Sequence, residues 1–196
     1  FIARLSSPSE NDLETFRSLE SAYPQLRSMS PSAYRQFKTK VVKAMEEDEV
    51  ITPMEFALQK SMSRTLDTAF GYQPDRPIRH RNFDTMIESV SDLLSMLAMM
   101  EETPETRQAA FDLGVSNLNH SDTSAFTFRE IDSTNLITFD QVLEDIAHAV
   151  PMCKANILYA CDALIRMNED ATPDQVLLMC AIADTLDRPR PDWTEA

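Results

Sequence analysis

Two acidic turns hold the residues whose types and spacing come closest to a metal site. The first turn contains Asp48 and Glu49, with Glu55 just inside the next predicted helix, and the second contains Glu169 and Asp170. Carboxylate oxygens suit calcium or magnesium, but an EF-hand loop needs alternating carboxylates over about 12 residues and a glycine at its bend. Neither turn supplies that spacing or that glycine. The sequence therefore favours solvated turns whose acids cap the following helix or interact with its positive N-terminus, and metal binding is the alternative.

The histidines and cysteines complete no zinc-binding or catalytic motif. No two of the three histidines have the helical spacing that grips zinc from one face, and HExxH is absent from the sequence. Asp145 and His148 have the three-residue spacing used in carboxylate-bridged di-iron bundles, but the second such pair is missing. Cys153, Cys161 and Cys180 lie in apolar segments, which predicts buried thiols in a reducing compartment. We expect no catalytic residue and no cofactor in this chain.

The partner surface that the sequence predicts is its only dense basic cluster, in a proline-containing connection between two halves. The cluster consists of Arg76, Arg79, His80 and Arg81. It could contact an acidic partner or anionic lipid head groups, or it could simply neutralise nearby acids. Trp193, in the proline-stiffened tail, is a further candidate because it either packs back on the bundle or is presented to a partner.

The composition excludes several classes of protein. With 18 basic and 32 acidic side chains the formal net charge is −14, which repels a phosphate backbone, so no nucleic-acid partner is expected. Two glycines in 196 residues cannot build the loops that cradle nucleotide phosphates. No run approaches the roughly 20 apolar residues that span a bilayer. Good helix formers are frequent and alternating β-branched runs are scarce, which favours an all-α protein.

One pattern occurs twice along the chain. Thr52 and Thr172 each stand before a proline, and each opens a segment that closes with the tripeptide Thr-Leu-Asp, at 65–67 and at 185–187. Matched positions are therefore 120 residues apart. Threonine before a proline fits a helix start, because its hydroxyl accepts a first-turn N–H and proline gives up a donor that had no partner.

The repeat predicts the elements that must position the acidic turns. Glu55 and Gln175 stand three residues after the two threonines and complete capping boxes. We therefore predict one all-helical domain over 1–196, a compact bundle in which two related helix pairs, 31–69 and 152–187, pack around a central helix.

Other caps and apolar stripes predict the remaining helices. The predicted ranges are a first helix after Ser7 to about Tyr23, the central helix at 84–100, a helix from Thr103 through Phe111, a polar loop over 114–135, and a helix from Thr138 to Val150.

Several stretches resemble a known family. Residues 30–37, 48–51 and 55–60 are similar to the region that follows the protease domain in bacterial membrane zinc metallopeptidases of the HtpX and CAAX-prenyl-protease type. Residues 107–114 and 177–187 are similar to the end of those proteins. The paired units also resemble TerB-like helical modules of tellurite resistance, although the Asp-Gly that those modules tend to show in the acidic turn is absent.

The resemblance implies a non-catalytic interaction or regulatory domain at the C-terminal end of a membrane-bound zinc metallopeptidase. The protease domain, with its zinc and transmembrane helices, would precede Phe1, and this domain would belong to an inner-membrane protein on the cytoplasmic side. Its partner would be the protease and membrane portion of the same protein, or another protein. The alternatives are a stand-alone TerB-like metal-binding or stress-response protein and an unrecognised helical enzyme.

Overall fold

The computed structural model describes residues 10–46, 51–72, 76–132, 134–167 and 171–192, and side chains from 12 to 43 in the first of these ranges. Regular structure in these ranges is helical, apart from one isolated bridge between His80 and Ala149. The helices are α1 (Glu10–Ser21), α2 (Tyr23–Leu26), α3 (Pro31–Glu46), α4 (Pro53–Met62), α5 (Ile87–Ala98), α6 (Pro104–Ser116), α7 (Leu136–Ile146), α8 (Pro151–Ile165) and α9 (Pro173–Thr185). The all-α fold is as predicted.

Helices α4 and α9 begin as the sequence predicts and form the most extensive helix pair. The hydroxyl of Thr52 accepts from the backbone N–H of Glu55 at 3.2 Å, and the Glu55 carboxylate accepts from the Thr52 N–H at 2.9 Å. Thr172 and Gln175 form the same reciprocal box at 3.3 and 2.8 Å. Both boxes satisfy N–H groups that a helix start leaves without partners.

Helix α5 occupies the centre of the bundle, as predicted. It packs on α6, α7 and α8, and its inward positions Val90, Leu93, Leu94 and Leu97 are completely buried. The arrangement around it differs from the prediction, because among the described residues only α8 of the four paired helices has an extensive interface with α5. Helices α4 and α9 pack mainly on each other and on α1, so the two pairs do not surround one central helix.

Two helix boundaries differ from the prediction for local reasons. Helix α6 continues through Gly114 to Ser116, where a loop was predicted. A Cβ at Gly114 would stand 3.2 Å from both Leu94 and Leu164. The glycine is therefore a point of close helix packing. Helix α7 begins two residues before Thr138, because Asn135 is the cap and its side chain accepts the Thr138 N–H at 3.0 Å.

The described helix ends also differ from the predicted ones. Helix α7 ends at Ile146 and not at Val150, because the chain turns there and forms the bridge to His80. Helix α9 ends at Thr185, and Asp187 takes a left-handed conformation with φ of 55°. No helix in the described ranges is long and apolar enough to cross a membrane.

Candidate functional site

The candidate site is an open groove along α3. Among the described residues α3 has no extensive interface with another helix, and only Tyr34 of its described side chains is buried. A groove of about 610 Å³ runs along its side. We call this the α3 groove; it is lined by Tyr34, Arg35, Lys38, Thr39, Val42, Lys43 and Tyr72.

The end of the α4 segment supplies the aromatic wall of the α3 groove. The helix continues from α4 through a π-helical stretch, Ser63–Asp67, and stops where Gly71 adopts a φ of 77°. Glycine is favoured at such a left-handed helix end because it has no Cβ to clash. The chain then folds back, with the Tyr72 N–H bonded to the Asp67 carbonyl at 2.8 Å, and Tyr72 lies 6.4 Å from the ring of Tyr34.

A buried tie fastens α3 to this wall. The Tyr34 hydroxyl donates to one oxygen of Asp67 at 2.8 Å, and Lys38 donates to the other at 2.6 Å. The Tyr34 ring stacks on Phe70 at 4.2 Å between centroids. Burial, together with the hydrogen bond to the Asp67 carboxylate, raises the pKa of Tyr34 above its ordinary value. The phenol therefore keeps its proton, and the tie holds near neutral pH.

The α3 groove has the opposite charge to the rest of the protein. Residues 21–45 contain five basic residues and no acidic one, in a chain of net charge −14. Arg35 and Lys43 are exposed at the edge of the groove, and Lys38 is half-exposed. The sequence-based prediction missed this surface because it looked for adjacent cations and not for a long stretch without acids, which here ends just before Glu46. A charge profile averaged over a helix length would have found it.

Two smaller hollows continue from the α3 groove. The hollow between α3 and α4 has a volume of about 130 Å³ and shares Lys38 and Val42 with the groove. It also contains Lys60, which lines a third hollow of about 240 Å³ at the C-terminal end of α9. We call the third hollow the α9-end pocket; its other lining residues include Ser63, Arg64, Thr68, Arg76, Glu144 and Asp187.

The predicted basic cluster does not form one surface. Arg76 reaches into the α9-end pocket, where it donates to the Thr185 carbonyl and to Glu144, both at 2.8 Å. Arg79 and Arg81 are exposed, and His80 is half-buried against α7. The cluster is therefore divided between a pocket, a contact and the solvent.

His80 lies in a chain of hydrogen bonds whose order resembles a hydrolase triad. Its Nδ1 lies 3.0 Å from the Thr85 hydroxyl, and its Nε2 lies 3.1 Å from Asp145. Ser89 donates to the second oxygen of Asp145. Burial acts to raise the pKa of Asp145, but the bonds from Ser89 and His80 outweigh it and hold that pKa below its ordinary value.

Backbone hydrogen bonds around His80 give this hydrogen-bonded cluster a structural role. The His80 N–H donates to the His148 carbonyl at 3.3 Å, and the Val150 N–H donates to the His80 carbonyl at 2.9 Å. The groups therefore clasp the connection at 76–81 to the junction of α7 and α8. Asp145 and His148, paired by sequence spacing, use different partners, since His148 bonds to the Pro77 carbonyl.

A second polar cluster ties the tail to the bundle. Arg190 forms a two-pronged bond to Glu20, with both distances 2.7 Å, and also binds Asp184 and Ser61. Arg64 reaches the same Asp184 at 2.8 Å. These pairs join α1, α4, α9 and the tail, and such bidentate geometry makes strong, oriented contacts. We interpret this cluster as a structural latch.

The remaining candidates of the sequence are either occupied or outside the described residues. The Glu55 carboxylate is engaged in its capping box. Asp48, Glu49, Glu169, Asp170 and Trp193 lie outside the described residues. Within the described ranges no group of three or more His, Cys, Asp or Glu residues is placed to hold a metal ion.

The three cysteines are buried and free, as predicted. Burial raises the pKa of Cys180 to about 11, and it also raises the pKa values of Cys153 and Cys161. Thiols with raised pKa values are poor nucleophiles near neutral pH, because little thiolate is present.

Comparison with protein-family models, with curated proteins and with solved structures gives no match for this chain.

Proposed function

We propose that this chain is a non-catalytic interaction module that binds an acidic segment of another protein in the α3 groove. The observation that carries the proposal is a helix with an open, partly apolar side and a basic edge on a strongly acidic protein. Such a helix face would receive a partner segment through apolar contact, with charge selecting the partner.

The aromatic wall gives the apolar part of the interaction. Tyr72 is 42% exposed beside Tyr34, and Val42 is half-exposed across the groove. Tyrosine is enriched where single side chains dominate binding energy, since it offers a large apolar surface and a polar end. An apolar side chain of the partner would pack between Tyr72 and Val42.

The charges favour an acidic protein segment over two other occupants. A second copy placed symmetrically on this face would bring the basic residues of the two grooves together, which is unfavourable. An anionic membrane would attract α3 but repel the acidic remainder of the protein. An acidic segment small enough to contact only the groove meets neither objection.

The family resemblance supports a wider setting for this module. In that setting the chain is the C-terminal domain of a bacterial membrane zinc metallopeptidase, and the bound segment belongs to the protease portion or to a protein brought to it. Zinc would then be held by the protease portion alone.

Fluorescence anisotropy with labelled peptides tests the proposal. The probes are short amphipathic peptides with Asp and Glu around a Leu or Phe stripe, and the comparison peptides carry Lys in place of the acids. We expect binding of the acidic peptides only, weakening as salt rises because exposed charge pairs are screened. We expect Tyr72→Ala to lower the affinity about tenfold, a typical loss for a central aromatic contact.

Two lysines of α3 provide a matched control. Lys43→Gln removes a charge that lines the groove, whereas Lys40→Gln removes one on the same helix that does not line it. Only Lys43→Gln should weaken the peptide, by roughly two- to fivefold for one exposed charge pair. Equal effects of the two substitutions, or equal binding of acidic and basic peptides, would contradict the proposal. Preferred binding to phosphatidylserine vesicles, or self-association that buries Tyr72, would replace it by a membrane or a dimer surface.

A further inference from the structure

The α3 groove does not end at α3, because three hollows lie side by side across this face. Lys38 and Val42 line both the α3 groove and the hollow between α3 and α4. Lys60 and Ser63 line both that hollow and the α9-end pocket. The three hollows are therefore neighbours that share lining side chains.

Lys60 and Arg76 lie deeper in the α9-end pocket than the carboxylates of Glu144 and Asp187, and the buried Asp184 also lines it. The side chains of Lys60 and Arg76 are only 10% and 18% exposed, whereas Glu144, which pairs with both, is 43% exposed. Lys60 also forms a closer ion pair with Asp140, whose side chain is 39% exposed. Asp187, which lies 3.9 Å from Arg76, is 51% exposed. The exposed carboxylates are the easier groups to displace, because their charges are better solvated and their side chains have more freedom.

The pocket also holds a donor without an acceptor. The Nε of Arg76 is buried and has no hydrogen-bond partner among the described residues. A buried donor without an acceptor is unfavourable, so a shift of the Arg76 side chain that brings this N–H to an incoming oxygen would be favourable. The hydroxyl-bearing residues Ser63 and Thr68 line the same pocket. Burial lowers the pKa of Lys154; the charge of Asp187 opposes that shift, Arg76 and Arg188 add to it, and Glu144 opposes it.

We propose that the α9-end pocket is a second subsite, which takes a carboxylate of the same acidic segment that occupies the α3 groove. The segment crosses the hollow beside Lys38 and Lys60, and its carboxylate replaces Glu144 against Arg76. Asp184 stays in place, since it is buried and bonded to Arg64 and Arg190. The inference rests on the proposed function, because it extends that binding site.

The test compares a short acidic peptide with the same peptide extended by a spacer and a terminal aspartate. A third peptide carries an amidated asparagine in place of that aspartate. On the unaltered protein we expect the aspartate extension to raise affinity roughly three- to tenfold, as one well-placed charge-assisted bond would. The asparagine extension should add little.

Two substitutions locate the gain. Arg76→Gln should abolish the advantage of the aspartate extension and leave the short peptide unchanged. Arg76 also binds the end of α9, so its substitution changes more than the pocket. Thr68→Val is a milder change in the same pocket and should reduce the same advantage. Urea unfolding shows whether both variants remain as stable as the unaltered protein. Arg166→Gln, a change of the same kind just after α8, is the control and should leave the advantage intact.

The outcomes separate this inference from the proposed function. If the short peptide binds and the extension adds nothing, the second subsite is wrong and the module stands. If no acidic peptide binds, both are wrong. The last measurement uses inorganic phosphate. If phosphate perturbs NMR signals of the pocket but does not compete with the extended peptide, the pocket is a separate site for small anions and the proposed second subsite is wrong.

Discussion

Helices α3 and α8 are the first helices of the two sequence-matched units, and their surroundings differ sharply. Helix α8 packs on α5, α6 and α9, and seven of its residues are buried. Helix α3 buries Tyr34 alone among its described side chains. At matched positions, Ile157 is completely buried whereas Phe37 is half-buried.

The difference shows that a repeated helix cap and a repeated pattern of apolar positions specify a helix, but they do not specify which other helices pack on it. The apolar face of helix α8 is buried in the core, so substitutions there change the stability of the fold. Helix α3 keeps part of its apolar face and most of its charge accessible, so changes there act on recognition. Each of the following substitutions tests one part of that distinction.

The largest contrast is expected at the matched apolar positions. Ile157→Ala should lower the free energy of unfolding by about 2 to 5 kcal/mol, because it removes buried methyl groups and leaves a cavity. Phe37→Ala should lower it by about 1 kcal/mol, since its side chain is only partly buried against the core. Urea denaturation of both variants measures the contrast, and equal losses would show that α3 is as much a part of the core as α8.

The matched aspartates should differ next. Asp67 is buried and accepts from Tyr34 and Lys38, so Asp67→Ala leaves a buried hydroxyl unpaired and should destabilise by about 2 kcal/mol. Asp187 is half-exposed in a left-handed conformation that asparagine also tolerates, so Asp187→Asn should stay within about 0.5 kcal/mol. Thermal unfolding suffices as the readout. A small effect of Asp67→Ala would mean that α3 is not held by this tie.

The two caps, in contrast, should be equivalent. Thr52→Ala and Thr172→Ala each remove a hydroxyl that accepts a first-turn N–H, and each should destabilise by about 1 kcal/mol. Serine at either position should restore most of the loss. Unequal losses in chemical denaturation would show that the surrounding helices, and not the local cap, decide these helix starts.

The smallest effects should appear as opposite pH dependences. The raised pKa of Tyr34 means that its contribution is complete below the ordinary tyrosine value of 10.0 and is lost as pH rises above it, so Tyr34→Phe should flatten the alkaline limb. The lowered pKa of Asp145 means that its contribution is present above the ordinary value of 3.8 and is lost as pH falls below it. Asp145→Asn should therefore flatten only the acid limb of stability measured against pH.

The sequence by itself determined the elements whose causes lie within one helical turn. The boxes at Thr52 and Thr172 formed as predicted because cap and partner are three residues apart, and the apolar stripe of α5 predicted its burial. Where the prediction of a start failed, at Thr138, a competing local cap at Asn135 took its place. Local hydrogen bonding and periodic burial are readable without knowing the neighbours.

Only the tertiary structure decided which side chains meet. Glu20 and Arg190 are 170 positions apart, and Asp145 binds His80 across 65 positions, so no spacing rule could pair them. The helical stripe of α3 predicts burial equally well for Phe37 and Tyr34, yet Asp67 and Phe70 cover only Tyr34. The open α3 groove exists because the other helices bury their apolar faces on one another, and that is a property of their arrangement and not of any one segment.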